Sequence, residues 1–297
     1  MPNDKLKDYL HLHLIVFIWG FTAVLGKLIT IDALPLVWYR MGIASLLIFL
    51  YIRFKKLPLK VSKKAMIWMI VGGITIALHW VTFFKAIKVS NVSVTLATMS
   101  TAAFFTAILE PIWYGRKIVP YEIAFGLIVI VGLYLIFQVE TDYLYGIVLA
   151  LISAFLSVIF TLINGKLVKS QKPSVISFYE LGCGVLFLTV FMAFRGSFTQ
   201  EFFSLSINDW IFIGILASIC TAYAYIASVK VMRHITPYTV VLTVNLEPVY
   251  GIILAFLILG DDEKMNPVFY MGAFIIILTV VANGVLKQMN VKKIRKG

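Results

Sequence analysis

Charged residues are scarce in this sequence. They make up 13% of its 297 residues, whereas soluble domains contain about 25%. Hydrophobic residues account for 61%, and no soluble core can hide that much apolar surface. A lipid bilayer can solvate it, provided that the backbone polar groups pair internally in helices or closed barrels. The long apolar runs lack the alternation of barrel strands, so the fold class is predicted to be all-α integral membrane.

Cysteines are few, and the motifs of common enzymes are missing. The two cysteines, Cys183 and Cys220, each lie inside an apolar run, so no disulfide framework is expected. The sequence has no Gly-rich phosphate loop, no HExxH pair, no GxSxG elbow and no cluster of carboxylates at metal spacing. These absences argue against direct ATP hydrolysis and against an enzyme, and they predict neither a cofactor nor a bound metal.

Ten apolar runs have lengths near the roughly 20 residues that a membrane-spanning helix needs. They cover residues 12–31, 34–54, 66–89, 92–113, 123–139, 144–167, 175–194, 210–229, 238–259 and 268–286. The first run follows Lys5 and Lys7 but has no small-residue cleavage site, so we expect a retained helix rather than a signal peptide. The sequence thus predicts ten transmembrane helices joined by short loops.

The positive charge is concentrated on one side of these predicted helices. The net charge is +12, and most Lys and Arg residues lie in the two termini and in every second loop, whereas most Asp and Glu residues lie in the other loops. Basic loops of this kind face the cytoplasm, so both termini are predicted to be cytoplasmic. The pattern predicts the cell (inner) membrane as the location and argues against nucleic-acid binding.

The two halves of the chain share an ordered set of matching residues. Phe21 matches Phe160 at a spacing of 139 residues, and Gly126 matches Gly272 at a spacing of 146, with intermediate matches at intermediate spacings. A spacing that grows stepwise is what loop insertions produce after a duplication.

An odd number of helices in each half fixes the orientation of the second copy. Five helices bring the chain to the opposite side of the membrane, so the second half must insert upside down, as in the inverted repeats of many transporters. We therefore predict two inverted five-helix repeats, residues 1–140 and 141–290, followed by a basic cytoplasmic tail at 291–297.

Several short motifs accompany this architecture. They are Trp19-Gly20 in the first helix, Pro35 and Arg40 in the second, Ala86-Ile87-Lys88 at the end of the third, and, in the second half, Glu247-Pro248 and Leu259-Gly260-Asp261-Asp262-Glu263. With these motifs the whole chain resembles the EamA-type branch of the drug/metabolite transporter superfamily. The resemblance implies a central cavity lined by the first, third, fourth, sixth, eighth and ninth helices. It also implies transport of amino acids, other metabolites or drugs, often as export.

Among ionisable residues at membrane depth, Glu247 is the first candidate for function. It lies near the middle of the ninth predicted helix, where alternating-access transporters bind their substrates, and Pro248 removes a helical hydrogen bond beside it. A carboxyl at this depth is predicted to carry a coupling proton or to pair with a substrate amine. The alternative is a protonated carboxyl that bonds a neighbouring helix. Its repeat partner is the uncharged Thr101.

Three other ionisable residues are interpreted as gating or structural. Arg40 and Glu180 are repeat equivalents, but about half of the ~30 Å hydrocarbon core is expected to separate them. We therefore expect Arg40 to bind carbonyls or a substrate carboxylate, and Glu180 to meet a basic cytoplasmic group. Glu110 is expected near the cytoplasmic end of the fourth helix, within reach of Arg116, as a gate or an anchor.

Polar and aromatic residues on the implied cavity helices complete the candidate site. His79 is a candidate for bonding a carboxylate or relaying protons, although a lone histidine more often bonds between helices. The other candidates for substrate binding are Trp19, Trp80, Thr98, Thr101, Tyr223 and Asn245. Close helix packing by the hydroxyls and lipid contact by the aromatics are the alternatives.

The sequence therefore favours a secondary transporter that exports amino acids or similar small metabolites or drugs by alternating access, with proton coupling through Glu247 as one form. The alternative within transport is an uptake carrier for another metabolite or for a phosphorylated or nucleotide-linked sugar. An intramembrane enzyme or a receptor is the alternative from another class. The expected partners are a small-molecule substrate and the lipid bilayer.

Overall fold

The computed structural model describes residues 2–115, 117, 119–139 and 141–294. The helices of the first half are α1 (Pro2–Leu28), α2 (Ala33–Phe54), α3 (Lys63–Val89), α4 (Val92–Met99), α5 (Ala102–Tyr114) and α6 (Pro120–Val139). Those of the second half are α7 (Leu144–Leu167), α8 (Pro173–Phe194), α9 (Gln200–Phe203), α10 (Ile207–Ala217), α11 (Ala224–Val231), α12 (Pro237–Val244), α13 (Glu247–Leu259) and α14 (Pro267–Ile294). These ranges contain no β-strand, which confirms the all-α prediction.

Seven helical segments are long and apolar enough to cross a membrane. They are Lys7–Leu28, Ala33–Phe54, Lys63–Val89, Val92–Tyr114, Leu144–Leu167, Pro173–Phe194 and Ile207–Val231. Three shorter apolar helices follow the same pattern of composition: Ile123–Ile136, Glu247–Leu259 and Pro267–Thr279. Large apolar side chains such as Leu186, Ile253 and Phe274 are more than half exposed on the outside of the bundle, which suits a lipid environment.

Polar caps in the loops decide where several helices begin. Side-chain oxygens of Ser62 and Asn91 accept from backbone N–H groups in the first turns of α3 and α4. Asp32 caps α2 in the same way and lies 3.0 Å from the Lys85 ammonium. Partial burial acts to raise the pKa of Asp32, but the Ala33 N–H and Lys85 together hold that pKa below its ordinary value.

Three of the apolar runs are not continuous α-helices. The run at 92–113 is interrupted between α4 and α5, where the Thr101 hydroxyl donates to the Thr98 carbonyl. A π-helical segment, Ser218–Tyr223, joins α10 to α11. The run at 238–259 is interrupted at Asn245 and Leu246, between α12 and α13. Interrupted helices at membrane depth are tolerated where protein or a cavity surrounds them, and all three interruptions adjoin the cavity described below.

Glycines allow the closest helix contacts. α3 packs along α7 and α8, and Gly73 on α3 lies against the backbone of Glu180 on α8. α6 and α14 meet at Gly132 and Gly272, where a β-carbon on Gly132 would lie 2.8 Å from the carbonyl oxygen of Gly272. Small residues at such crossings let membrane helices pack by van der Waals contact.

Replacing Gly132 with leucine is expected to destabilise the protein by about 1–3 kcal/mol, because the new side chain would force the α6 and α14 backbones apart. The measurement is the thermal unfolding temperature of the protein in detergent. Gly214→Leu is the matched control, since nothing lies within 4 Å of a β-carbon at that position. Equal unfolding temperatures for the two variants would contradict the packing account of the α6–α14 crossing.

Candidate functional site

A central cavity lies among the interrupted helices. Its lining is Trp19, Thr22, Arg40, Ile76, His79, Trp80, Phe83, Leu96, Met99, Ser100, Ala102, Ser157, Phe160, Thr161, Tyr225, Ser228, Met232, Val240, Val241, Val244, Asn245, Glu247 and Pro248. These residues come from the six helices that the family resemblance implies, and α2 adds Arg40. The cavity volume is about 90 Å³, and a single water needs roughly 10–15 Å³, so the space suits a small solute.

Arg40 is a buried cation on the wall of this cavity. Only 1% of its surface is exposed. Its Nε donates to the Thr221 hydroxyl at 2.6 Å, and its guanidinium carbon lies 3.8 Å from the centre of the Trp80 ring, a cation–π contact. Its Nη1 has no hydrogen-bond partner within the described ranges. The guanidinium is thus fixed by its Nε and by its face, and the hydrogen-bonding capacity of Nη1 is unused among the described residues.

Glu247 faces the same cavity from the first turn of α13. Its side chain is partly exposed, and the positive charge of Arg40 stabilises the ionised carboxylate. The N-terminus of a helix also favours a negative charge at this position. The neighbouring Asn245 is 3% exposed, and its Nδ2 finds no partner in the described part of the chain. The cavity therefore presents a cation, a carboxyl and an amide, and two of these have unused hydrogen-bonding capacity.

His79 and Trp19 line the cavity and also join helices. The Ser153 hydroxyl on α7 donates to the His79 carbonyl at 2.9 Å, and His79 Nδ1 lies 3.0 Å from the Ser153 carbonyl. Because a carbonyl can only accept, the second contact needs a proton on Nδ1. Trp19 Nε1 donates to the Cys220 carbonyl in the π-helical segment at 3.2 Å. Both side chains are thus fixed in orientation at the cavity wall.

Three predicted substrate residues lie outside the cavity lining. Thr98 and Thr101 are buried in the packing around the α4–α5 interruption, where Met99, Ser100 and Ala102 reach the cavity instead. The helix interruption between α4 and α5 therefore determines which residues of this run line the cavity.

Tyr223 is the third of these. It is 46% exposed, and its hydroxyl lies 2.8 Å from Nε2 of His11. The π-helical segment that ends at Tyr223 widens the helical turn, and Tyr225 lines the cavity in its place.

The two remaining ionisable candidates are buried away from the cavity. The sequence predicted that Glu180 meets a basic cytoplasmic group, and among the described residues it does not. It accepts a hydrogen bond from the Tyr225 hydroxyl, because α11 brings that hydroxyl against α8 deep inside the bundle. Glu110 is buried in α5, and its expected neighbour Arg116 lies outside the described residues. Arg40 and Glu180 do not pair, in agreement with the expectation from their depths.

Ser228 and Phe160 are cavity residues that sequence reasoning did not select. Ser228 donates its hydroxyl to the Tyr225 carbonyl, and Phe160 packs beside His79 with ring centres 5.4 Å apart. Hydroxyls and aromatics are common throughout these helices, so no sequence signal separates the two from residues that face lipid.

Residues 7–138 and 144–284 each match the model of the EamA-like transporter family. The chain belongs to this family. The two matched segments agree with the duplicated halves, and the family resemblance stated from the sequence is confirmed. An EamA-like chain with this many apolar helices is a multi-pass membrane protein.

Relatives of this EamA-like chain bear transporter names. It is 24% identical over 201 residues to an uncharacterized transporter, YxxF, of Bacillus subtilis (strain 168), a match that covers 66% of the chain. The chain spans 63% of the length of that relative. An uncharacterized transporter of Archaeoglobus fulgidus is 23% identical over 267 residues, which cover 86% of this chain and 90% of the relative.

A solved crystal structure shares the fold of the EamA-like chain. The TM-score is 0.70, with 13% sequence identity, and the match covers 95% of this chain and 98% of the other. At this identity the likeness shows the fold alone.

Proposed function

We propose that the protein is a secondary transporter that moves a small zwitterionic solute, of the amino-acid class, by alternating access. The observation that carries this proposal is the presence of Arg40 and Glu247 on the walls of one cavity. A guanidinium recognises a carboxylate, and a carboxylate recognises an ammonium group, so the two together match the two ends of an amino acid. Trp80 and Phe160 also line the cavity and give it apolar surface for a side chain.

The proposal includes ten membrane crossings in two inverted repeats, 1–140 and 141–290, in the cell membrane with both termini cytoplasmic. Seven long and three shorter apolar helices support the number of crossings. The basic alternate loops support the orientation. Export is the proposed direction, with Glu247 exchanging a proton for the substrate ammonium. A carrier of phosphorylated sugars would need several cavity cations, and Arg40 is the single Lys or Arg among the cavity residues that the structure describes.

Counterflow in proteoliposomes tests the proposed function. Vesicles that contain the purified protein are preloaded with an unlabelled amino acid, and the entry of the labelled amino acid is measured against empty vesicles. A mixture of the 20 amino acids serves as the first preload, followed by single compounds. We expect entry of at least one amino acid above the background of empty vesicles. The absence of exchange for all of them would overturn the proposal.

Alternating access requires that one end of the cavity be closed. At the end of the bundle that carries Asp209 and Glu263, here called the acidic end, two carboxylates tie helices together. Asp209 in α10 accepts from the N–H and the hydroxyl of Thr30, both at 2.7 Å. Glu263 accepts from the N–H groups of Val92 and Ser93, at 3.0 and 2.9 Å, at the start of α4.

Replacing Asp209 with alanine is expected to open the acidic end more often. A hydrogen bond to a charged group contributes about 1.5–3 kcal/mol, so the loss of the two Thr30 contacts should raise access to the cavity at least tenfold. The measurement is the rate at which an impermeant maleimide labels Thr22→Cys from the acidic side, with Cys183→Ser and Cys220→Ser as background. Asp261→Asn is the control, because Asp261 is an exposed acid that pairs with the exposed Lys264 in its own turn. An unchanged labelling rate would contradict a gating role for Asp209.

A further inference from the structure

A second buried acid, Glu180, lies directly behind the cavity wall. Its exposed fraction is 0%. The ion pairs of the described residues are Lys85–Asp32, His234–Asp8 and Lys264–Asp261, so Glu180 has no cationic partner among them. A fully buried carboxylate without a cation is costly, and such a group is neutral unless something compensates its charge. Glu180 therefore belongs to the class of buried acids that hold a proton.

One hydroxyl separates this acid from the cavity. Tyr225 lines the cavity with its ring, 6.2 Å from Trp80 between ring centres, and its hydroxyl is hydrogen-bonded to Glu180 Oε2. Asn164 Nδ2 on α7 donates to the same hydroxyl at 2.9 Å. The tyrosine oxygen is thus held between a hydrogen-bond donor, Asn164, and a hydrogen-bond acceptor, Glu180, so that its O–H bond is directed at the acid.

Among the residues that the structure describes, no cation pairs with Glu180. α3 presents Gly72 and Gly73 to it, and Gly72 lies against Oε1, which has no hydrogen-bond partner among the described residues. The titratable side chains near it on its own helix are Tyr179, whose hydroxyl donates to the Leu59 carbonyl, and Cys183. α7 contributes the neutral Asn164, and α11 contributes Tyr225. The polar side chains that α7 and α11 bring to this region, Asn164 and Tyr225, are hydrogen-bonded to each other.

We propose that Glu180 is a second proton-binding site of the transport cycle, connected to the substrate cavity through the Tyr225 hydroxyl. This inference rests on the proposed transport function and adds to it a proton that Glu247 does not carry. In the transfer, one O–H bond of a hydronium ion in the cavity breaks and leaves water; its proton bonds the tyrosine oxygen as the tyrosine O–H bond breaks, and the tyrosine proton forms an O–H bond with the Glu180 carboxylate. The reverse steps return a proton to the cavity, so Tyr225 is unchanged and no charge other than the proton moves.

The position of Glu180 in the repeat agrees with this role. Its equivalent in the first half is Arg40, which faces the cavity directly, and the two helices pack together where Met41 meets Gly184. Arg40 lines the cavity itself, whereas Glu180 is joined to the cavity through the side chain of Tyr225. The two equivalent positions thus carry the substrate-binding and the proton-binding parts of the same cycle.

The test uses Glu180→Gln in proteoliposomes, with Ser177→Ala, a buried change on the same helix, as the matched control. Each coupled proton multiplies the accumulation ratio about tenfold per pH unit of gradient. We therefore expect Glu180→Gln to lower the ratio about tenfold at a gradient of about one unit, while counterflow at equal pH keeps its rate. An unchanged accumulation ratio overturns the Glu180 proposal. The absence of counterflow in the wild type overturns the transport function instead.

A second measurement covers the case in which Glu180→Gln does not reconstitute. Infrared spectra of the wild type and of Tyr225→Phe are compared in the region of protonated carboxyl groups. Loss of the tyrosine hydroxyl should shift the carbonyl band of one protonated acid to higher frequency, because a hydrogen bond to that acid is removed. Identical bands in the two proteins would mean that no protonated acid bonds Tyr225, and the proposal would fall.

Discussion

Arg40→Ala is expected to lower the rate of amino-acid counterflow about 100-fold, which corresponds to roughly 3 kcal/mol. The guanidinium is held in place at the cavity wall by the Thr221 hydroxyl and the Trp80 ring, so little further ordering is needed for it to bind the substrate carboxylate. Alanine removes the cation and leaves the substrate carboxylate without a partner in a water-poor cavity. The measurement is the initial rate of labelled amino-acid entry at equal pH.

Two controls separate this effect from loss of structure. Arg40→Lys keeps the charge but not the planar group that bonds Thr221 and stacks on Trp80, so we expect a loss of about tenfold. Arg195→Ala removes an exposed arginine whose guanidinium lies near Phe191, and its rate should equal that of the wild type. Transport by Arg40→Ala at the wild-type rate would exclude Arg40 from substrate binding.

Glu247→Gln is expected to lower the accumulation ratio driven by a pH gradient about tenfold at a gradient of about one unit. Glutamine has the size of the protonated acid but cannot release a proton, so the exchange of a proton for the substrate ammonium stops. Counterflow at equal pH should continue at a reduced rate, because the amide still accepts one hydrogen bond from the ammonium group. The accumulation ratio of the labelled amino acid, measured with the gradient imposed in each direction, decides the result.

Glu247→Asp provides the comparison for this prediction. The shorter acid still titrates, so accumulation should persist with a lower rate. Accumulation by Glu247→Gln equal to that of the wild type would remove Glu247 from proton coupling, while a loss in both variants would indicate a geometric role for the side chain. The two acids differ in counterflow at equal pH, which is expected to slow in Glu247→Gln and to keep its rate in Glu180→Gln.

The sequence predicted the fold class because long apolar runs have few physical solutions in a bilayer. It also identified Trp19, His79, Trp80, Asn245 and Glu247, all of which line the cavity. These residues are polar or aromatic and occur on helices that the family resemblance assigns to the cavity, so helix number and residue type were sufficient. Glu247 is the first candidate because of its depth in the membrane, which can be estimated from the long apolar run that surrounds it in the sequence.

Three predicted residues lie outside the cavity lining because the helices depart from regular geometry. The sequence favoured Tyr223, whereas Tyr225, which follows the π-helical segment Ser218–Tyr223, lines the cavity. The interruption after Met99 removes Thr98 and Thr101 from the cavity wall in the same way. Tertiary packing produces such interruptions, and a hydropathy pattern contains no signal for them.

The hydrogen-bond partners of Glu180 could not be predicted from the sequence for a related reason. Its expected neighbour was a basic group at the end of the bundle, because charge pairing is the simplest way to bury an acid. The structure uses the neutral Tyr225 and Asn164 instead, which approach from α11 and α7. Contacts between residues so distant in sequence depend on how the helices cross, and the sequence of one chain does not encode those crossings visibly.

The most direct test of zwitterion recognition is the binding of three ligands to three proteins. The ligands are a transported amino acid, its amide, which lacks the carboxylate, and its N-acetyl derivative, which lacks the ammonium group, and their affinities are measured by calorimetry. The wild type should bind the amino acid at least about tenfold more tightly than either derivative. Arg40→Ala should no longer distinguish the amino acid from its amide, and Glu247→Gln should no longer distinguish it from the N-acetyl derivative. Full discrimination retained by both variants would contradict a substrate held between Arg40 and Glu247.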